Sequence, residues 1–333
     1  MLQKLFASYR LPWTILMKIN LITPANKYTK NGNRTSIVRW AKLLRSYGHN
    51  TQINTEYDGS ACDIMIALHA RHSAEAINLY KAKYPKGPLI VVLGGTDVNT
   101  FLKTDATITL SAMEKADALV CLHDQIGEAL PKQLTKKLHT IIQSAVPLKQ
   151  QRNPSKRNFD ICVIGHLRDE KDPLRAAMAA RLLNKSSKIR VFHLGKAHND
   201  TWAIAAKKEQ MENPRYHWLG EVTAGRVRRE FIKTHLMVLS SNQEGGANVV
   251  SEAIAADVPI IASNIPGNTG LLGHNYPGLY PVRNEKALSI LLQKAETNPQ
   301  FLTQLNRACQ KLKPRFTPEL EGQAWARLIE NLS

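Results

Sequence analysis

LMVLSSNQEGGANVVSEAIAADVPIIAS, residues 236–263, holds a β–α–β unit in one short span. An apolar run ends at Ser241, the loop NQEGG follows, a helical pattern begins near Ala247 or Asn248, and a second apolar run, PIIAS, closes the unit. Two strands joined through a helix must lie parallel, and uninterrupted apolar runs mark strands covered on both faces.

The same alternation runs outward in both directions. Toward the N-terminus, from Met17, the runs KINLIT, NTQINT, CDIMIALH, PLIVVLGG, ALVCL and LHTIIQS read as strands, with helical patterns such as RTSIVRWAKLLRSYG and SAEAINLYKAKYP between them. The polar, basic stretch PLKQQRNPSKRN, residues 147–158, reads as a linker. A second series follows: FDICVIGHL, KIRVFHLG, YHWLGEV, LMVLSS, PIIAS and GLYPV as strands, with EKALSILLQKA and QFLTQLNRACQKL as late helices. The expected fold is α/β with two Rossmann-like doubly wound domains facing a cleft. The first spans 17–150 and the second 151–312, and a C-terminal helix in 313–333 crosses back. That helix offers Leu320, Trp325, Leu328 and Ile329 as an apolar face for either domain. Residues 1–16 read as an extension outside the fold, expected to be disordered. Pro12 interrupts the pattern an amphipathic membrane anchor would need.

Composition narrows the class. A chain of 333 residues with 43% hydrophobic content buries ample core for two domains. No apolar run reaches the roughly 18 residues that span a bilayer, so stable membrane insertion is not expected. The four cysteines, Cys62, Cys121, Cys162 and Cys309, form neither C-x-x-C pairs nor zinc spacings and suit buried reduced thiols in a cytoplasmic protein. A formal charge of +18 attracts anions, but aromatics are only 6% and the basic residues are dispersed, so nucleic acid is not the expected partner. No G-x-G-x-x-G follows the first strand and no P-loop occurs, which removes support for a dehydrogenase or an NTPase. The absence of an Asp-x-Asp pair weakens the case for a carboxylate-held divalent cation on a diphosphate, and no metal or other cofactor is expected.

The opening segment carries the chemistry. Gly245 and Gly246 let backbone approach a ligand, and the helix end at Ala247, Asn248 and Val249 offers N–H groups to an anion. Glu252, about one turn in, suits a vicinal diol such as a ribose, and Glu244 a second hydroxylated group. That is the requirement of a nucleotide sugar. Helix capping with solvent-facing glutamates explains the same residues.

SSNQEGGANVVSEAIAADVPIIASNIPG resembles the E-x7-E segment of GT-B glycosyltransferases of family 4. The resemblance implies that Glu252 holds the nucleotide ribose and Glu244 the donor sugar. VIGHLRDEKDP resembles the stretch whose arginine and lysine hold the diphosphate. Lys171 matches the lysine, Gly165 the glycine, and His166 stands where arginine is usual, with Arg168 two residues on as the substitute charge. Five blocks, TPANKYTKNGNRTSIVRWAKLLRSYGH, CDIMIALHARHS, GTD, GHLRDEKDP and EGGANVVSEA, are similar to the selenosugar synthases of selenoneine biosynthesis (SenB type). That narrower resemblance implies a UDP-hexose donor, UDP-GlcNAc or UDP-glucose, and selenophosphate as acceptor.

The first domain supplies the acceptor residues on this reading. Lys27, Lys30, Gly32, Asn33 and Arg34 form a basic loop after the first strand; taken alone it reads first as a solvated loop before a helix capped by Asn33 or Thr35, and the resemblance turns it into the site of a phosphate-bearing acceptor. His69 and Arg71 close a strand at its C-terminal end, and Thr96 and Asp97 follow the next. His69 joins Lys171, Arg168 and Glu244 as the expected catalytic group. Two rival functions stand beside this one: a hexosyltransferase acting on a lipid or glycan hydroxyl, and a non-catalytic nucleic-acid or nucleotide-sugar binding protein.

Overall fold

β-branched and apolar runs flanked by turn residues form every strand that the sequence predicts. The computed structural model describes residues 16–29 and 31–332; nearly all of the predicted extension, and Lys30, lie outside them. The chain divides into two units, one running through Ser144 and resumed at Pro318, the other Ala145–Thr317.

The first unit holds β1 (Lys18–Ile22), β2 (Asn50–Asn54), β3 (Ile64–Leu68), β4 (Leu89–Val92), β5 (Ala118–Cys121) and β6 (Leu138–Thr140). They pair in parallel in the order β2-β1-β3-β4-β5-β6. Alternate residues of β3 feed two cores: Ile64, Ile66 and Leu68 pack with Trp40 and Trp325, whereas Met65 and Ala67 pack with Ile77 and Tyr80. Both faces are covered, as a parallel sheet requires.

The second unit holds β7 (Phe159–Ile164), β8 (Ile189–Leu194), β9 (Tyr216–Trp218), β10 (Leu236–Leu239), β11 (Ile260–Ser263) and β12 (Leu279–Tyr280), parallel in the order β12-β11-β10-β7-β8-β9. In each sheet the winding reverses once, between β1 and β3 in the first and between β7 and β10 in the second. Ligands of such sheets bind beyond the strand C-termini at that reversal. The loops after β1, β3, β7 and β10 are therefore the ones to inspect.

The boundaries differ from the sequence expectation. The second unit starts at Ala145, not 151, because Ala145 N–H donates to Phe316 O (3.1 Å) and the Arg228 guanidinium donates to Val146 O (2.9 Å) and Pro147 O (2.7 Å). Residues 313–316 stay with that unit through Lys313, whose Nζ bonds both Asp257 carboxylate oxygens at 2.7 Å. The last helix runs Pro318–Glu330 and packs on the first unit. Its buried face is Glu321, Trp325, Leu328 and Ile329; Leu320, expected there, is 45% exposed.

Local chemistry sets the ends of three helical segments. The first helix begins at Gly32, because Asn31 Oδ1 accepts the Arg34 N–H at 3.0 Å and caps it. Pro131 has no N–H to continue a helix, so QIGEALPKQL splits into Ile126–Ala129 and Lys132–Thr135. PGNTGLL, rich in turn residues, forms the buried helix Pro266–Leu272.

Candidate active site

In the second unit, the loops after β7 and β10 are stitched together by backbone acceptors. Ser240 Oγ donates to Lys171 O (3.0 Å) and Asp172 O (2.9 Å), Asn242 N–H to Glu170 O (2.8 Å), and Asn242 Nδ2 to Asp169 O (3.0 Å). These bonds bring Lys171 Nζ onto Glu244 Oε1 in an ion pair. The Glu244 side chain is only 8% exposed, and Ser241 Oγ donates to the same oxygen at 2.6 Å. Gly246 has φ +122°, open to glycine alone without strain. It leads into the helix Asn248–Ala255, whose N-cap, Ala247, has no polar side chain to close the end and whose first turn has no acid. A lysine beside an uncapped helix end suits a diphosphate. Glu252 is half-buried on that helix, one turn in, as the sequence predicts.

At the end of β7, a Cβ added at Gly165 would lie 3.9 Å from the Lys171 stem. His166 Nδ1 accepts the Lys196 N–H (3.1 Å), which directs its other nitrogen away as a donor in the neutral ring. Arg168 lies beside Glu170, Nε to Oε2 3.7 Å, with nearly half of its side chain exposed.

Sequence reasoning missed His193. It is buried on β8, with Nε2 3.1 Å from Gly165 O and Nδ1 2.9 Å from Tyr216 Oη. Since a carbonyl can only accept, Nε2 carries the proton and Nδ1 accepts from the tyrosine. An apolar-flanked histidine in a strand gives no signal of this, because the partner is a carbonyl 28 residues away. Burial drives its pKa down from 6.5 to about 4, against a smaller opposing effect of the bond to Gly165. The sign follows from proton uptake. Between pH 6.5 and 4 the unfolded chain binds the proton and the folded chain does not, so stability is full above pH 6.5 and falls as pH drops. We expect wild type to lose about 3 kcal/mol relative to His193→Gln between pH 7 and 4, measured by urea unfolding. A parallel pH dependence in the two proteins would refute this.

In the first unit, Gly32 and Asn33, expected as a turn, form the first turn of the helix Gly32–Ser46. Arg34 is half-buried beside them, and exposed Lys27 sets its Nζ 5.0 Å over the Tyr28 ring. After β3, His69 adopts φ +72°, a strained conformation for a residue with a side chain. Asp97 holds that turn. Its carboxylate, 0% exposed, accepts the N–H groups of Ala70 (3.0 Å), Arg71 (2.9 Å) and Gly94 (2.8 Å), with His69 Nδ1 3.2 Å away. Burial alone would raise the Asp97 pKa, but His69 and the backbone donors outweigh it and hold the carboxyl below its ordinary range. Asp97 thus accepts three backbone N–H groups and supports the His69 turn. Thr96 is half-buried and precedes the π-helical turn Asp97–Phe101. The Arg71 side chain lies 3.5 Å from Asp105. The structure therefore brings Lys171 and Glu244 together in one unit, and His69, Arg71 and Asp97 in the other.

Catalytic cysteine chemistry is disfavoured: all four thiols are free, and burial pushes Cys162 up to about 12. Among the described residues no three His, Cys, Asp or Glu side chains converge to hold a metal, and no helix is long and apolar enough to cross a membrane.

Known proteins share this architecture. The sequence model of the family described as glycosyl transferases group 1 matches residues 146–312, just over half of the chain and nearly all of the second unit. Glycosyltransferase 1 domain-containing protein 1 of Xenopus tropicalis is 24% identical over 346 residues, covering 95% of this chain and 98% of the relative. Among solved structures, Anabaena HepE in complex with UDP superposes with TM-score 0.77 at 13% identity, over 95% of this chain and 100% of that one. Sucrose-phosphate synthase of Thermosynechococcus elongatus gives 0.74 at 14% identity, over 95% and 98%. At such identities the structural likeness bears on the fold, which is the GT-B pair of parallel-sheet Rossmann-like units. With its lysine–glutamate pair and glycine-led helix inside the matched span, the chain belongs to the glycosyl transferases group 1.

Proposed function

We propose that the protein is a selenosugar synthase that transfers a hexosyl group from UDP-GlcNAc or UDP-glucose to selenophosphate. The observation that carries the donor half is the Lys171–Glu244 pair beside the uncapped helix Asn248–Ala255. On this reading Lys171, Arg168 and the helix end from Gly245 to Val249 take the diphosphate, Gly165 and His166 line it, Glu252 takes the ribose and Glu244 the sugar. HepE, solved with UDP and with UDP-glucose, supports a uridine donor.

The acceptor half rests on the five-block resemblance and on the cations of the first unit. Arg34 stands in a helix first turn that contains no acid, with Lys27 on the preceding loop and His69 and Arg71 after β3. Selenium attacks the anomeric carbon, the bond from that carbon to the β-phosphate oxygen breaks, and UDP leaves with the electron pair. Selenium is already anionic, so no strong general base is required. Water then cleaves the P–Se bond, giving phosphate and the free selenosugar. The same reading assigns the protein to the cytoplasm.

The test is incubation with selenophosphate and either UDP-hexose, with mass spectrometry for a selenium-bearing hexose and assay of UDP. Expected are both products, and their loss in Glu252→Ala. UDP release only with an alcohol acceptor would point to a hydroxyl-directed hexosyltransferase. Salt-sensitive nucleic-acid binding without UDP release would remove the enzymatic reading.

A further inference from the structure

Behind Glu244 lies a buried polar chain that the mechanism above does not use. Ser241, Ser263 and Asn268 come from the ends of β10 and β11 and from the helix Pro266–Leu272. Each is 2% exposed or less. Ser263 Oγ donates to Ser241 O (2.5 Å); Asn268 Nδ2 donates to Ser263 O (2.9 Å) and to Ser263 Oγ (3.0 Å). Ser241 Oγ completes the chain at Glu244 Oε1 (2.6 Å). Gly267 lies against the Glu244 backbone so closely that a Cβ there would sit 2.4 Å from Glu244 O. Buried polar groups are costly unless satisfied, and this chain spends its donors on fixing one carboxylate and the loop that bears it.

Glu244 Oε1 is shared between Lys171 and Ser241. A bound diphosphate carries more charge than a carboxylate and competes for the Lys171 ammonium. Glu244 must then stay in place by its other donor. We propose that Ser241, backed by Ser263 and Asn268, is a positioning residue that keeps Glu244 aimed at the donor's sugar once Lys171 has turned to the diphosphate. This rests on the donor-site reading above. It predicts a split that a purely structural role does not give: loss of the hydroxyl lowers transfer of the sugar but leaves the hold on UDP.

The experiment measures UDP affinity by calorimetry and kcat for UDP release from UDP-glucose with selenophosphate, in wild type, Ser241→Ala, Ser241→Thr and Ser263→Ala. Ser241→Ala is expected to lower kcat about tenfold, the effect of one hydrogen bond to a charged group, with UDP affinity within twofold. Ser241→Thr, which retains the hydroxyl, restores most of the rate. If Ser241→Ala does not fold, Ser263→Ala gives the answer one layer out, with about a threefold lower kcat at unchanged UDP affinity. Wild-type kcat in the folded alanine variants, or parallel loss of UDP affinity, overturns the positioning role. A wild type that fails to bind UDP, or UDP binding indifferent to Glu252→Ala, takes down the donor-site reading and this proposal together.

Discussion

Lys171→Ala is expected to lower kcat by roughly 10²–10³, the cost of removing one preorganised charge from a developing oxyanion. Negative charge grows on the β-phosphate as the anomeric bond breaks, so the ammonium is worth more in the transition state than in the donor complex. The fall should therefore appear mainly in kcat, with a smaller rise in donor KM. Lys171 is fixed at its backbone by Ser240, whose hydroxyl donates to its carbonyl, and by the turn bond from its own N–H to Arg168 O (3.0 Å). Its removal also leaves Glu244, 8% exposed, without its cation. The melting transition of Lys171→Ala, read beside its kcat, separates instability from lost catalysis. Steady-state UDP release under saturating donor checks the prediction. A kcat within threefold of wild type would exclude Lys171 from leaving-group stabilisation.

The sheets were legible because their information is local. Runs such as IMIAL and LIVV are apolar on both faces and bounded by turn residues, which admits few alternatives to buried parallel strands. Glu244 and Glu252 stand out by their places in the loop and helix that follow an apolar run, whereas Lys171 is singled out by the resemblance of VIGHLRDEKDP. Other features depend on partners far along the chain. His193 reads as a strand residue until Gly165 O is seen against it. Asp97 reads as an acceptor-side residue after a strand, and its carboxylate also serves backbone N–H groups 26 and 27 residues earlier. Pro266–Leu272 is helical although two glycines, a proline and an asparagine oppose helix by propensity; burial of the segment behind Glu244 overrides them. The first-helix boundary slipped by two residues because Asn31, not Asn33 or Thr35, makes the capping bond.

Glu321→Ala is expected to destabilise the first unit by about 3–5 kcal/mol, the cost of breaking a buried ion pair by removing one partner. Glu321 is 2% exposed in the first turn of the last helix, at the start of its packed face. Its carboxylate accepts from Arg39 Nε (2.9 Å), Trp40 Nε1 (2.9 Å) and Ser144 N (2.8 Å), and from the Ser144 hydroxyl. Alanine strands all of these donors, and Arg39 keeps a charge that is mostly out of water. The loss matters more than an equal loss elsewhere because of where the chain runs. Ser144 is the last residue before the second unit and Glu321 lies just after the return, so one carboxylate ties both passages of the chain. Trp325, one turn on, packs 5.3 Å from Trp40 and adds apolar burial, but it supplies no acceptor for the stranded donors. For a unit of this size the destabilisation corresponds to a fall of roughly 6–20 °C in its melting transition, read by calorimetry. Glu321→Gln keeps one oxygen acceptor and should cost less than half as much. Equal melting of Glu321→Ala and wild type would show that apolar packing alone holds the returning helix.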